Sequence, residues 1–199
     1  MFNRDVMTKL LFVPVAAASL SACGINEVPT AEEVAKAKWA DVESAYQRRA
    51  DLIPNLVKVA ERYADQEREV FTQVTEARAK ASSIQVSAND LTDPGKIGQF
   101  AAAQDQLGAS LGRLLVTVER YPDLKSDQIF LNLQSQLEGT ENRINIARRD
   151  YNESVRAYNT TIRTFPSIVA ARIIYGAKPM VPFQAQPGAQ IAPTVDFGN

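Results

Sequence analysis

DQIFLNLQSQLEGTENRINIARRDYNESVRAYNTTIRTF, residues 127–165, is the longest uninterrupted helical pattern in the chain. Phe130, Leu133, Leu137, Thr140, Ile144, Ala147, Tyr151, Val155, Tyr158, Ile162 and Phe165 recur at steps of three and four, which places them on one face of a helix. No proline interrupts the run, and Gly139 is the one residue a helix disfavours. At 1.5 Å per residue the element is roughly 60 Å long. An apolar stripe of that length must be covered by other helices, so the stretch predicts an all-α bundle in which the rest of the chain is the cover.

Going outward toward the N-terminus, three further helices supply that cover. Pro94 to Arg120 carries Phe100, Ala103, Leu107, Leu111, Leu114, Val118 and Tyr121 on one face. Ala101, Ala102, Gly108, Ala109 and Gly112 make this helix slender, which suits close packing or self-association along the membrane. The turn-rich QVSANDLTDPG, residues 85–95, is expected to be the most mobile loop of the body. Before it, residues 54–83 repeat Leu56, Val59, Tyr63, Glu67, Val70, Val74, Ala77, Ala81 and Ile84, with Glu67 the charged intruder. Glu67 either lies at the edge of the stripe or pairs inside the bundle with Arg49, the basic member of the preceding stripe Ala35, Trp39, Val42, Tyr46 and Arg49. That first helix is expected to start with Thr30 as N-cap and Glu33 in a capping box, and to break at Pro54, whose ring removes a hydrogen bond and clashes with the preceding turn. On the other side of the spine, Tyr121 to Lys125 forms a turn with Ser126 or Asp127 as the cap. Pro166 stops the long helix, a short fifth helix covers 167–175, and Gly176 ends it. The last 24 residues hold four prolines and no helical period, so they read as an extended tail whose Val181, Phe183, Ile191, Val195 and Phe197 pack along the bundle or dock on a partner.

Composition narrows the chemistry. With 22 basic and 23 acidic residues in 199, no excess of positive charge is available for a nucleic-acid phosphate backbone. There is no histidine, so imidazole bases, serine or cysteine triads and histidine-ligated zinc are excluded. One cysteine, Cys23, forbids an intramolecular disulfide and a cysteine metal cluster. No metal and no cofactor is expected.

Residues 1–22 read as an export signal: Arg4 and Lys9 give a basic start, and Leu10 to Leu20 is an apolar run of eleven, too short to cross a hydrocarbon core of about 30 Å. The run closes in Leu20, Ser21, Ala22 and Cys23, which resembles the lipobox of bacterial lipoproteins. The resemblance implies cleavage before Cys23 and lipidation of its thiol, a diacylglycerol and an amide-linked acyl chain such as palmitate making a permanent anchor. Gly24, rather than Asp, follows the cysteine, which by the same resemblance favours the outer over the inner membrane. The organisation is then a lipoprotein signal peptide over 1–22, a tether over 23–29, a helical bundle over 30–175 and an extended Pro-rich tail over 176–199.

The stretches RRADLIPNLV (48–57), VTEARA (74–79), LGRLLVTVERYPDLKS (111–126), TENRINIARRDYNESVRAYNT (140–160), FP (165–166) and the closing PTVDF resemble the LemA family of bacterial envelope proteins. The resemblance covers the chain from about residue 38 onward and implies an antiparallel four-helix bundle on the outer side of a membrane, without known activity or cofactor. Family members usually carry an uncleaved transmembrane helix, and here a lipobox stands in its place.

The function expected is a membrane-anchored helical scaffold with an envelope protein partner and no catalysis of its own. The polar residues interleaved with the stripes, Arg48, Arg49, Asn142, Arg143, Arg148, Asn152 and Asn159, are the candidate interaction residues. The competing expectation is a cell-wall enzyme using paired carboxylates, Glu138 and Glu141 or Glu67, since acids three apart share a helix face.

Overall fold

The computed structural model describes residues 25–184. The signal, Cys23 and the tail residues Ile191, Val195 and Phe197 lie outside them. Among the described residues the α-helices are α1 Glu27–Ala60, α2 Arg68–Ser83, α3 Pro94–Val118, α4 Pro122–Ser126, α5 Gln128–Thr161 and α6 Ser167–Ile173, with no strand.

Two helices of 34 residues, α1 and α5, form the spine. They run antiparallel: Lys38 faces Asp150, Arg49 bonds Glu141 and Tyr63, just past the end of α1, bonds Asp127 at the start of α5. Helices α2 and α3 are a second antiparallel pair, tied by Lys80 in the last turn of α2 to Gln106 midway along α3, and by Glu67 to Arg120 near one end. The four main helices thus alternate up and down, as the stripes require. Their inward faces are the predicted ones, from Trp39, Val42 and Tyr46 through Phe100, Leu107 and Leu114 to Ile144, Tyr151 and Val155. Helix α5 ends four residues short of expectation, and Phe165, read as its last stripe member, stands 83% exposed beyond it.

Pro54 does not break the helix. Helix α1 passes straight through it and ends at Ala60, and a 3-10 turn at Asp65–Glu67 separates α1 from α2. The expected second helix from residue 54 is therefore two pieces of different helices. Pro54 has no N–H to give the carbonyl of Ala50, one turn back. Arg78 on α2 fills the vacancy, its Nε donating to Ala50 O at 2.7 Å. The helix keeps going because the orphaned acceptor has a charged donor from its neighbour. Substituting Arg78→Met is expected to cost about 1–2 kcal/mol, the penalty of an unpaired, part-buried carbonyl. In a Pro54→Ala background, which restores an N–H to Ala50 O, that cost should shrink by about 1 kcal/mol. Urea unfolding of the four variants reads the cycle, and an equal cost in both backgrounds refutes it.

The ends of the helices also differ in detail from expectation. Helix α1 starts at Glu27, so the capping box at Thr30 and Glu33 is not formed; Thr30 is inside the first turn, its hydroxyl donating to Asn26 O at 2.7 Å. Pro29 is accommodated there because the first turn of a helix needs no N–H donors. The connector expected to be most mobile is instead built into the fold. Ser87 and Asp90 form a reciprocal capping box over a 3-10 turn, Leu91 is fully buried, and Trp39 Nε1 donates to Val86 O at 3.1 Å. Of the small residues on α3, Gly108 sits 4.0 Å (from an added Cβ) from the Arg49 guanidinium, whereas a Cβ at Gly112 meets nothing within 4 Å. The first is ordinary van der Waals contact and the second open space, so close approach demands glycine at neither position.

Asp127 caps α5, its Oδ1 accepting from the Phe130 N–H at 2.9 Å. That backbone N–H, followed by the Tyr63 hydroxyl, holds the Asp127 carboxyl below its ordinary value. A folded pKa below the unfolded one gives stability that is present above the unfolded value and is lost as pH falls through the folded value. The stability advantage of wild type over Asp127→Asn should therefore shrink on acidification below about pH 4, the ordinary carboxylate value. Chemical denaturation at a series of pH values checks it, and a difference independent of pH counts against the account.

Candidate functional site

Two apolar clusters divide the bundle along its length. One gathers Trp39, Tyr46, Phe100, Tyr151 and Phe183; the other gathers Ile53, Leu56, Leu107, Leu114 and Phe130. Between them lies a polar layer centred on Arg49, which is 4% exposed. Its Nη1 donates to Glu141 Oε1 at 2.8 Å, and its Nη2 donates to Gln104 O at 3.1 Å and to Gln104 Oε1 at 2.7 Å. Its guanidinium carbon is 5.0 Å from the centre of the Tyr46 ring. Nε is the buried side-chain atom left without a hydrogen-bond partner among the described residues. Arg49 therefore does not pair with Glu67. Glu67 lies at the other end of the bundle, accepting from Arg120 Nη2 at 2.9 Å and from the Tyr121 hydroxyl at 2.8 Å. Neither expectation for Glu67 holds: it is on no helical stripe but closes the 3-10 turn between α1 and α2, and it is tied to the end of α3 rather than to Arg49.

The second feature is a clamp on the tail. After Gly176, whose φ of +56° suits a residue without a Cβ, the chain turns back and runs extended along α5. Asn159 donates to Met180 O at 2.8 Å and accepts from the Met180 N–H at 2.9 Å. Asn152 does the same to Phe183, at 3.0 and 2.8 Å. Each side-chain amide thus pairs with a backbone peptide as a neighbouring strand would. The spacing is geometric: seven residues of helix rise about 10.5 Å, and three residues of extended chain cover about 10 Å. Between the two clamps the Tyr151 hydroxyl donates to Val181 O at 3.0 Å, and burial pushes its phenol pKa up, which keeps it a donor. Phe183 is thereby stacked on Trp39, with ring centres 5.6 Å apart, and Arg148 covers its outer face at 4.9 Å.

The candidate interaction residues thus separate. Arg49, Arg148, Asn152 and Asn159 brace the molecule's own helices and tail. The side chains of Arg48, Asn142 and Arg143 are exposed and make no hydrogen bond among the described residues. The carboxylates considered for catalysis are each engaged separately: Glu141 is held by Arg49, Glu138 accepts from Gln134 at 3.2 Å on the surface, and Glu67 sits near the far end. Among the described residues no group of three acidic or thiol side chains is placed to hold a metal. No helix among them is long and apolar enough to cross a membrane. Gln104 and Arg78 were not anticipated, although Arg78 lies in VTEARA and Pro54 guarantees that a carbonyl near it needs an outside donor.

The LemA family matches residues 38–197. The chain is 30% identical over 178 residues to magnetosome protein MamQ 2 of Paramagnetospirillum magneticum, covering 81% of this chain and 65% of that protein. It is 31% identical over 157 residues to magnetosome protein MamQ of Magnetospirillum gryphiswaldense, covering 71% of this chain and 58% of the relative. Protein LemA of Metamycoplasma hominis is 27% identical over 124 residues, with 62% and 52% of the two chains covered. The chain thus spans between about half and two thirds of the length of these curated relatives.

Proposed function

Because the chain belongs to the LemA family, we propose that it is a membrane-anchored helical scaffold of the bacterial envelope, without catalysis of its own. In this reading a lipidated Cys23 holds it on the periplasmic face of a membrane, the outer one favoured by Gly24, and a protein partner engages the solvent face of α5. The observation that carries the reading is the distribution of polar groups on α5. Those that point inward are occupied by the bundle and the tail, while Asn142, Arg149 and Arg156, spaced by seven, are all exposed and share one line along the helix. Arg48 is exposed on α1 beside Arg49, hence at the level where Glu141 and Asn142 begin that line. A row of arginines on a rigid helix suits an acidic protein surface, which it would steer as well as hold.

A photo-crosslinker at Asn142 in the full chain, activated in intact envelopes, should give a discrete protein adduct. The double variant Arg149→Glu/Arg156→Glu should lower its yield about tenfold, by inverting the charge that draws the partner in. No adduct at all, or one indifferent to charge reversal, removes the scaffold reading.

A further inference from the structure

The end of the bundle where α1 begins carries an apolar patch that the scaffold face does not use. Phe165, Val169, Ile173 and Ile174 are 83%, 50%, 79% and 58% exposed, and with Ile25 and Pro166 they line a shallow pocket of about 160 Å³. Single exposed apolar residues are ordinary, but a contiguous group of large ones marks an interface. Two contacts hold the patch in place. Glu27 accepts a hydrogen bond from the Ser167 hydroxyl, and the buried Ala170 and Ala171 seat α6 on the bundle. The patch is therefore a fixed surface at the point where the described chain starts. Cys23 lies two residues before Ile25, a reach of at most about 7 Å. The tail runs away from this end, since Met180 and Phe183 lie successively further back along α5. Arg163, Arg172 and Lys178, all exposed, flank the patch in sequence, and Tyr175 is exposed beside it.

We propose that this end of the bundle is a membrane seat: Phe165, Val169, Ile173 and Ile174 enter the interfacial layer of the bilayer, and Arg163, Arg172 and Lys178 meet anionic lipid headgroups. Large exposed apolar side chains with arginine, lysine and tyrosine adjoining them in sequence are the composition of a surface that lies at a lipid interface. A lipid anchor by itself leaves a body free to tumble on its tether. A seat beside the anchor fixes the axis, so that α1 and α5 rise from the membrane and the far ends stand roughly 50 Å above it, 34 residues at 1.5 Å each. The inference rests on the membrane-anchored reading above and adds an orientation to it.

The test uses the full lipidated chain in vesicles of phosphatidylethanolamine and phosphatidylglycerol with brominated acyl chains, which quench tryptophan at close range. The single native tryptophan, Trp39, is buried and serves as the internal reference. Ile173→Trp should lose the greater part of its added emission and shift it to the blue. Val116→Trp, exposed at the far end of α3, should lose none. Flotation of the vesicles reports anchoring separately. Flotation with no quenching at position 173 overturns the seat and leaves the anchor standing; no flotation overturns both. A blue shift at position 173 without bromine quenching, together with a doubled mass, would give the patch to a second copy of the chain and overturn the seat.

Discussion

Arg49→Ala is expected to lower the stability of the bundle by about 3 kcal/mol, more than any other change in its polar layer. The reasoning follows the partners left behind. Glu141 is 45% exposed at its side chain, so it can turn to water and loses little. Gln104 cannot: it is 6% exposed, and its side-chain oxygen would be left without a donor, at about 1–3 kcal/mol for an unpaired buried acceptor, while its carbonyl, inside α3, loses only a second donor. The lost stem and guanidinium also leave a void beside Gly108 and the Tyr46 ring. For a chain of this size about 3 kcal/mol corresponds to a fall of roughly 6–12 °C in Tm. Two companions separate the causes. Glu141→Gln should cost about 1 kcal/mol or less, as a part-exposed partner does. Arg49→Met with Gln104→Leu, which removes the donor and the side-chain acceptor together, should recover most of the loss. Calorimetry reads all three, and an Arg49→Ala protein as stable as wild type would show that the layer carries no weight.

The same layer shows what periodicity reveals and what it leaves hidden. The stripes on α1, α3 and α5 were readable because a helix buries every third or fourth residue whatever it packs against. Arg49 was readable as a stripe member, yet its partner was not, because a buried charge is satisfied by whatever the helix register brings opposite. Register is a property of two helices, and it brought Glu141 and Gln104 rather than Glu67. Pro54 misled for a related reason: the local rule says break, and the donor that overrides it, Arg78, lies 28 residues beyond the Ala50 carbonyl it satisfies. The connector at 85–95 has the composition of a loose turn, but Val86 and Leu91 sit in it at the positions that reach the core. Turn residues describe the backbone there; they do not describe what its two apolar side chains bury. The exposed apolar end is the converse case. Phe165, Ile173 and Ile174 were read as helix members because their types suit a core, and only the position of α6 shows that they face outward.

Removing both amides of the tail clamp, Asn152→Ala with Asn159→Ala, is expected to free residues 180–184 while leaving the helices folded. Four hydrogen bonds disappear, two from each asparagine. The backbone groups of Met180 and Phe183 can find water once the segment lifts, so the cost is the net value of the bonds, about 2 kcal/mol together rather than their sum in an apolar medium. That makes the lifted state about thirtyfold more populated. What opposes the release is Phe183, which is 6% exposed and packed against Trp39, Tyr151 and Phe100. Its burial explains why a single substitution should have a modest effect and the pair a large one, since either asparagine alone still holds the ring near its slot. The lifted state uncovers Trp39, so the double variant should show a red-shifted tryptophan emission and faster chymotryptic cleavage after Phe183, with far-ultraviolet dichroism unchanged. Phe183→Ala on the intact clamp gives the complementary arm, exposing Trp39 while Asn152 and Asn159 still grip the backbone. Unchanged cleavage in the double variant would mean that the aromatic contacts hold the tail by themselves, and that the two asparagines serve something other than the chain's own fold.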